Sequence, residues 1–349
     1  MRTFSSNSST RLQRNARQRI VRVAVALALA LASCAGTGAT AGVPETAAPR
    51  ISLESFRTSD GVELPMRDWL PAEEPRAVIL ALHGFGDYSA SFARPAEYWA
   101  EHGVATFAFD QRGFGGAPHT FQWAGVAAMS ADARQAVHAL RSTYPGIPLY
   151  LLGESMGGAL AIATTTGPDP AEADGTVLVS PAVWEHDMLG TIERSALWVT
   201  NLTMPDLWLE PPRGLVIHPS DNVAMLRGLS RDSLVQKGAR AGTTFGLMDL
   251  MDRAGEAVSR LTKPTLVLFG AHEEVLPPDA VSMLLGRLPA ANVRVAVYPN
   301  GYHMLLRDLD GDVVSRDILT WVLDRGEALP SGDECKGPAA GSAPCRKGG

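Results

Sequence analysis

Short apolar runs alternate with amphipathic stretches along most of the chain. Residues 51–56 alternate apolar and polar, Asp60-Gly61 supplies a hairpin turn signal, and residues 62–70 read as the returning strand. Six further runs, at 78–82, 104–109, 149–152, 176–179, 265–269 and 293–297, are almost wholly apolar, interrupted only by Thr106, Thr176, Thr265 and Arg294. Continuous apolar strands are those covered on both faces, so the pattern predicts a mostly parallel sheet of eight strands in an α/β fold. Helical periodicity marks 130–144, opened by Ser130 as a plain N-cap, and 313–323. From about 184 to 256 the alternation stops. No strand-like run occurs there, but Trp184, Met188, Leu197, Trp198, Leu202, Met204, Leu207, Trp208 and Leu209 make it rich in large apolar residues. A structureless loop of that length would be improbable, so a helical insertion between the sixth and seventh strands is expected. No internal repeat is present.

The first 33 residues do not belong to this pattern. They carry six arginines and no acid, then an apolar run of ten residues at 23–32, too short for the roughly 20 needed to span a bilayer. The run ends in Leu31-Ala32-Ser33-Cys34, which resembles a bacterial lipobox; the competing reading is an ordinary signal peptide with an incidental cysteine. The expectation is a lipoprotein signal peptide over 1–33, Cys34 acylated and anchoring the chain, a tether over 34–49, the folded domain over 50–328 and a tail over 329–349. Such a protein is exported and faces the periplasm or exterior from an inner or outer bacterial membrane. Acyl chains contribute about 0.8 kcal/mol per buried methylene, so a multiply acylated cysteine anchors stably.

Composition sharpens this. The formal charge is -6 from 31 basic and 37 acidic residues. Without the six leader arginines, 25 basic residues face the same 37 acids, a balance near -12. An acidic body with no basic stripe excludes nucleic acid as a partner. Besides Cys34 the cysteines are Cys335 and Cys345, both near the C-terminus of an exported chain, where they can pair across the intervening small-residue loop or stand as free thiols.

The chemistry centres on Gly153-Glu154-Ser155-Met156-Gly157. The five-residue pattern alone is weak, but here it follows an apolar strand run and precedes the helix-prone residues 158–161. That is the setting of a nucleophile elbow, in which Ser155 sits at a sharp strand-to-helix turn. A serine needs a base oriented by a third group, and in such folds the order is serine, acid, histidine. Of eight histidines only His303 combines a late position with a turn directly after a strand. The acid falls after the strand at 265–269, between Glu273, Glu274 and the less favoured Asp279, which reads as a helix-start acid behind Pro278. Oxyanion donors are expected from the Met156 amide and from the loop His83-Gly84-Phe85-Gly86-Asp87, with the Phe85 amide favoured. No metal or organic cofactor is required. Asp308, Asp310 and Asp312 have the spacing that opens a calcium loop, but Val313 and Leu319 stand where glycine and glutamate are needed, so they read as a helix-start cluster. Asp110-Gln111-Arg112-Gly113 reads as a turn near the site.

Taken in order, His83-Gly84-Phe85-Gly86, residues 109–115, Gly153-Glu154-Ser155-Met156-Gly157-Gly158 and residues 298–304 resemble the monoacylglycerol lipase and lysophospholipase group of α/β hydrolases, akin to the serine aminopeptidase-like hydrolases. The resemblance spans about 51–323. It implies an α/β-hydrolase fold with a lid over about 184–256 after the sixth strand, Ser155 as nucleophile, His303 as base and the Phe85 and Met156 amides as oxyanion hole. It places the acid three residues beyond Gly270, at Glu273. Two departures stand out: the group usually has aspartate as the acid, and its animal members often have histidine where Glu154 stands. The activity implied is hydrolysis of carboxylic esters of lipids such as monoacylglycerols or lysophospholipids. The competing readings are an aminopeptidase of the same fold, which needs a lid carboxylate such as Glu185, Asp187, Glu193 or Asp206 for the substrate ammonium, and an inactive surface-binding module. Dehalogenases and epoxide hydrolases are disfavoured because they carry aspartate at the elbow.

Overall fold

The computed structural model describes residues 48–52, 54–185, 191–209 and 217–335. The signal peptide, Cys34, most of the tether and Cys345 lie outside the described residues.

Eleven strands occur among the described residues: β1 (Arg50–Ile51), β2 (Ser55–Arg57), β3 (Glu63–Trp69), β4 (Ala77–Leu82), β5 (Val104–Phe109), β6 (Leu149–Glu154), β7 (Gly175–Val179), β8 (Trp208–Leu209), β9 (Ala239–Arg240), β10 (Thr265–Gly270) and β11 (Val293–Tyr298). Nine of them form one sheet in the order β1-β2-β3-β5-β4-β6-β7-β10-β11. From β5 to β11 all neighbours are parallel, while β1, β2 and β3 join antiparallel at one edge. Every residue of β4, β5, β6, β7 and β10 is buried, as their predominantly apolar runs predict.

The main sheet therefore has nine strands rather than the expected eight. The run at 51–56 is split, because Ser52 N donates to Ser55 O at 2.9 Å and folds residues 50–51 back on β2. The Asp60-Gly61 turn joins β2 to β3 as expected, with Gly61 at φ 82°.

Helices cover both faces of the sheet. On one side α1 (Ala93–Glu101) and α8 (Gly311–Leu323) pack Phe92, Trp99, Val314, Ile318 and Trp321 against alternate residues of the strands. On the other side lie α2 (Val126–Thr143), α3 (Met156–Thr166), α6 (Ala241–Ala257) and α7 (Pro278–Arg287), with Met129, Leu160, Leu250 and Leu284 in the core. Helix α2 starts four residues before the expected Ser130 N-cap. The Val126-Ala127-Ala128-Met129 turn is itself helix-compatible, and burial of Met129 in the core draws it in, so Ser130 lies inside the helix, buried.

The insertion lies between β7 and β10. It holds α4 (Thr191–Thr203), α5 (Val223–Arg231) and α6, but it is not purely helical: β8 and β9 pair antiparallel, Trp208 with Arg240 and Leu209 with Ala239. A two-residue ladder is too short to leave a periodic signature. Trp184 packs against the core, whereas Trp198, Leu202, Met204 and Trp208 are largely exposed.

The C-terminal segment is not all tail. Cys335 N donates to Val295 O and Val297 N to Asp333 O, so residues up to Cys335 line the edge of β11, and Arg294 pairs with Glu334 at 2.6 Å. Cys335 is disulfide-bonded.

Trp99 is fully buried, and its Nε1 donates to Ser315 O at 2.9 Å, joining α1 to α8. Trp99→Ala is expected to lower the unfolding free energy by about 3–5 kcal/mol, from lost apolar contact and the cavity left behind. Urea denaturation followed by circular dichroism checks this; a loss below about 1 kcal/mol would contradict the packing described.

Candidate active site

All the loops that carry candidate chemistry leave the sheet at one edge, because parallel strands point their carboxyl ends the same way. Leu82 pairs with Gly153, Glu154 with Val179, and Gly270 with Tyr298, so the segments after β4, β6, β10 and β11 emerge side by side.

Ser155 sits between β6 and α3 at φ 53° and ψ −116°. A residue with a Cβ resists this conformation, so the surroundings must enforce it. They do so by close approach. A Cβ on Gly157 would stand 1.9 Å from Leu82 O, and one on Gly153 would stand 2.2 Å from Gly157 O. Only glycine lets the helix start this near the strands. Ser155 N donates to Val179 O at 2.9 Å, and Ser155 O accepts from Gly158, Ala159 and Ala182 amides.

Ser155 Oγ donates to His303 Nε2 at 2.9 Å, and His303 Nδ1 donates to Glu273 Oε2 at 2.7 Å. The His303 and Glu273 side chains are each 7% exposed. The second Glu273 oxygen accepts the Val275 and Leu276 amides at 2.7 and 3.0 Å, which fixes the carboxylate plane. Glu274 points elsewhere: its Oε2 accepts from the His218 backbone N at 2.8 Å and bonds His218 Nδ1 at 2.9 Å. Those two bonds hold the Glu274 carboxyl below the usual range. Asp279 lies in the first turn of α7 behind Pro278.

The amides of Phe85 and Met156 donate to no acceptor among the described residues. Met156 opens α3, where backbone N–H groups lack intrahelical partners and favour negative charge. The Phe85 loop abuts the nucleophile, since a Cβ on Gly84 would stand 3.4 Å from Ser155 Cβ. His83 anchors that loop. It is fully buried, its Nδ1–H donates to Gly84 O at 2.9 Å, and its Nε2 accepts the Gln111 amide at 2.9 Å. Burial pushes the His83 pKa down, so the imidazole stays neutral, as this pairing needs. Asp110 accepts Ser89 N and Gly116 N, and Arg112 spans Asp60 and Asp132, so residues 110–113 do shape a turn beside the site.

Several contacts left no clear trace in the sequence. The insertion docks on the site by two straps. Residues 218–222 meet the acid and histidine loops: beyond His218 on Glu274, Pro219 O accepts Met304 N at 2.9 Å, Ser220 Oγ donates to Asp308 Oδ1 at 2.6 Å, and Asn222 Nδ2 donates to Arg307 O at 3.0 Å. Residues 232–243 meet the oxyanion and β5 loops: Gln236 N donates to Gly86 O at 2.7 Å, Thr243 Oγ1 to Phe121 O at 2.8 Å, and Tyr88 Oη to Asp232 Oδ2 at 2.8 Å. Burial, then Asp232, pushes the Tyr88 phenol up to about 12, so it remains a donor. The unbroken polar stretch His218-Pro219-Ser220-Asp221-Asn222 was a signal available for the first strap. Asp308 is a correction to the helix-start reading: it is buried and accepts Tyr302 N at 2.7 Å as well as Ser220, while Asp310 and Asp312 do stand at the start of α8. Among the described residues no group of three or more His, Cys, Asp or Glu is placed to hold a metal ion.

Comparison with known proteins finds relatives over most of the chain. Human monoglyceride lipase is 29% identical over 299 residues, covering 81% of this chain and 97% of that protein. Monoacylglycerol lipase of Mycolicibacterium smegmatis is 25% identical over 274 residues, covering 78% and 97%. The structure of a soluble variant of the monoglyceride lipase of Saccharomyces cerevisiae, in complex with a substrate analog, superposes with a TM-score of 0.66 at 21% identity over 81% of this chain and 97% of that one. The profile of the family described as serine aminopeptidase, S33, matches residues 73–310. That match spans more than half of the chain and every loop of the site, and the chain belongs to this family of α/β hydrolases.

Proposed function

We propose that the protein is a serine hydrolase of carboxylic esters of lipids, with Ser155 as nucleophile, His303 as base, Glu273 as the orienting acid and the Phe85 and Met156 amides as oxyanion hole. The observation that carries this reading is the unbroken hydrogen-bond chain from Ser155 Oγ through His303 to Glu273, with the Phe85 and Met156 amides donating to no acceptor among the described residues.

The chemistry follows from the geometry. His303 Nε2 takes the Ser155 proton as Oγ attacks the ester carbonyl, and Glu273 stabilises the imidazolium and holds its tautomer. Negative charge on the tetrahedral oxygen meets the two amides, each worth on the order of 10²–10³ in rate by comparison with other oxyanion holes. The imidazolium returns its proton to the departing alkoxide, leaving an acyl-Ser155. Water, deprotonated by His303, then releases the acid and restores the serine. Monoacylglycerols are the favoured lipid esters, because the relatives that span nearly the same length are monoacylglycerol lipases. The insertion serves as the lid over the acyl chain, and its large apolar side chains suit that role.

An aminopeptidase needs a free carboxylate for the substrate ammonium. Two of the lid acids eligible for it are already engaged, Glu185 by Arg287 and Asp206 by Arg240; Asp187 lies outside the described residues. The acylated Cys34 anchor is part of this proposal on the strength of the leader alone, and it would keep the enzyme at a bacterial membrane surface where lipid esters reside.

Three outcomes test the reading. A fluorophosphonate should label Ser155 and fail to label Ser155→Ala, and the protein should turn over p-nitrophenyl esters far faster than amino-acid anilides; labelling retained in the mutant, or preference for anilides, would overturn it. Glu273→Gln should cost on the order of 10⁴ in turnover on a soluble ester, by analogy with the protease triad. Glu274→Gln, which only loosens a strap, should cost much less, and a severe loss confined to the Glu274 variant would reverse the assignment. Finally, Cys34→Ser should leave the protein unlipidated and out of the membrane fraction; mass spectrometry finding an unmodified Cys34 in mature, membrane-bound wild type would refute the anchor.

A further inference from the structure

Behind the nucleophile lies a buried cluster of charge that the acyl-transfer cycle does not use. Arg307, four residues after His303, has a side chain only 9% exposed. Its Nη1 lies 2.7 Å from Asp87 Oδ2 and its Nη2 lies 3.4 Å from Glu154 Oε2. Asp87 ends the oxyanion loop, with its amide donating back to Gly84 O, and Glu154 is the last residue of β6, directly before Ser155. Arg307 itself ends the short helical turn Leu305–Arg307 that follows His303, and its amide donates to Met304 O at 2.8 Å. One guanidinium therefore joins the three segments that carry the oxyanion donor, the nucleophile and the base.

Stability does not account for this arrangement. Burying a cation with two carboxylates costs desolvation that the pairing recovers only in part, and apolar side chains of similar volume often serve stability as well or better. Burial pushes the Glu154 carboxyl up, and Arg307 is the largest influence holding it down. What a planar guanidinium offers that apolar packing does not is a fixed angle and spacing between two carboxylates on different loops. We propose that Arg307 is a positioning residue for the acyl-transfer reaction, setting the spacing of the Phe85 amide, Ser155 and His303 through Asp87 and Glu154. The inference rests on the hydrolase reading above.

The test compares Arg307→Met, Arg307→Lys, Asp87→Asn and Glu154→Gln with wild type on p-nitrophenyl butyrate. Each rate is taken per fluorophosphonate-labelled site, so misfolded molecules do not count. Arg307→Met should lose about 10²-fold in kcat, the scale of a misplacement of about 1 Å, with a much smaller change in KM. Arg307→Lys should recover part of that loss, because it keeps the charge but reaches one carboxylate rather than two. Adding Asp87→Asn to Arg307→Met should cost less than the two single losses combined, as expected for partners in one contact. Wild-type kcat per labelled site in Arg307→Met, or equal losses in the Met and Lys variants, would overturn the proposal. Should Arg307→Met fail to fold, the near-isosteric Asp87→Asn and Glu154→Gln decide: a fall in kcat with KM nearly held supports positioning, and wild-type kcat in both overturns it. Wild type that does not label at Ser155 would sink the hydrolase reading itself, an outcome distinct from any of these.

Discussion

Ser155 occupies a backbone conformation that costs on the order of 1–3 kcal/mol for a residue with a Cβ, and the rest of the site depends on its being held there. The turn is enforced from below, by α3 pressed against β4 and β6 so closely that Gly157 and Gly153 tolerate no side chain. From above it is pinned by the bond of its amide to β7 and by three amides on its carbonyl. With the backbone so fixed, Oγ stands clear of the sheet toward His303, and the Met156 amide is left without an intrahelical acceptor. Strain at one residue is thus offset by the burial of a whole helix, whose eight most enclosed residues run from Met156 to Thr164.

The parallel sheet supplies the second requirement, proximity. Residues 83, 155, 273 and 303 are far apart in the chain, yet each lies within a few residues of the carboxyl end of a strand, and the strand order brings those ends together. Proximity alone would leave four independent loops. The insertion ties them: one strap holds the acid and histidine loops, the other the oxyanion loop and the turn after β5. The insertion is thus fastened to the loops on both sides of the triad. The buried Arg307 cluster lies under the same loops and restrains them from the core side.

Polar burial at this site is accordingly dense and specific. His83 is neutral and spans two loops by its two ring nitrogens, Asp308 joins the histidine loop to the insertion, and Glu273 uses both oxygens. Each of these groups would be costly to bury alone, and each has partners on a segment remote in sequence.

The amino-acid sequence by itself determined the architecture, because burial within a sheet writes itself as short runs with few polar interruptions and the six parallel strands could be read from them within two residues at either end. It also marked Ser155, since a glycine-flanked serine between a strand and a helix has few other uses, and His303, since a late post-strand turn offers few histidines. It did not separate Glu273 from Glu274 without the family's spacing, because adjacent residues of equal chemistry differ only in the direction they face, and that direction is set by the Val275 and Leu276 amides on one side and His218 on the other. The split of the first strand, the early start of α2 and the β8–β9 ladder escaped for a related reason: each is decided by one or two hydrogen bonds or by burial of a single side chain, not by a periodic pattern. The Asp87–Arg307–Glu154 cluster and the two straps lie further from reach. In each of these contacts the two partners lie far apart along the chain, and only the tertiary structure, by bringing the ends of parallel strands to one edge, made them neighbours.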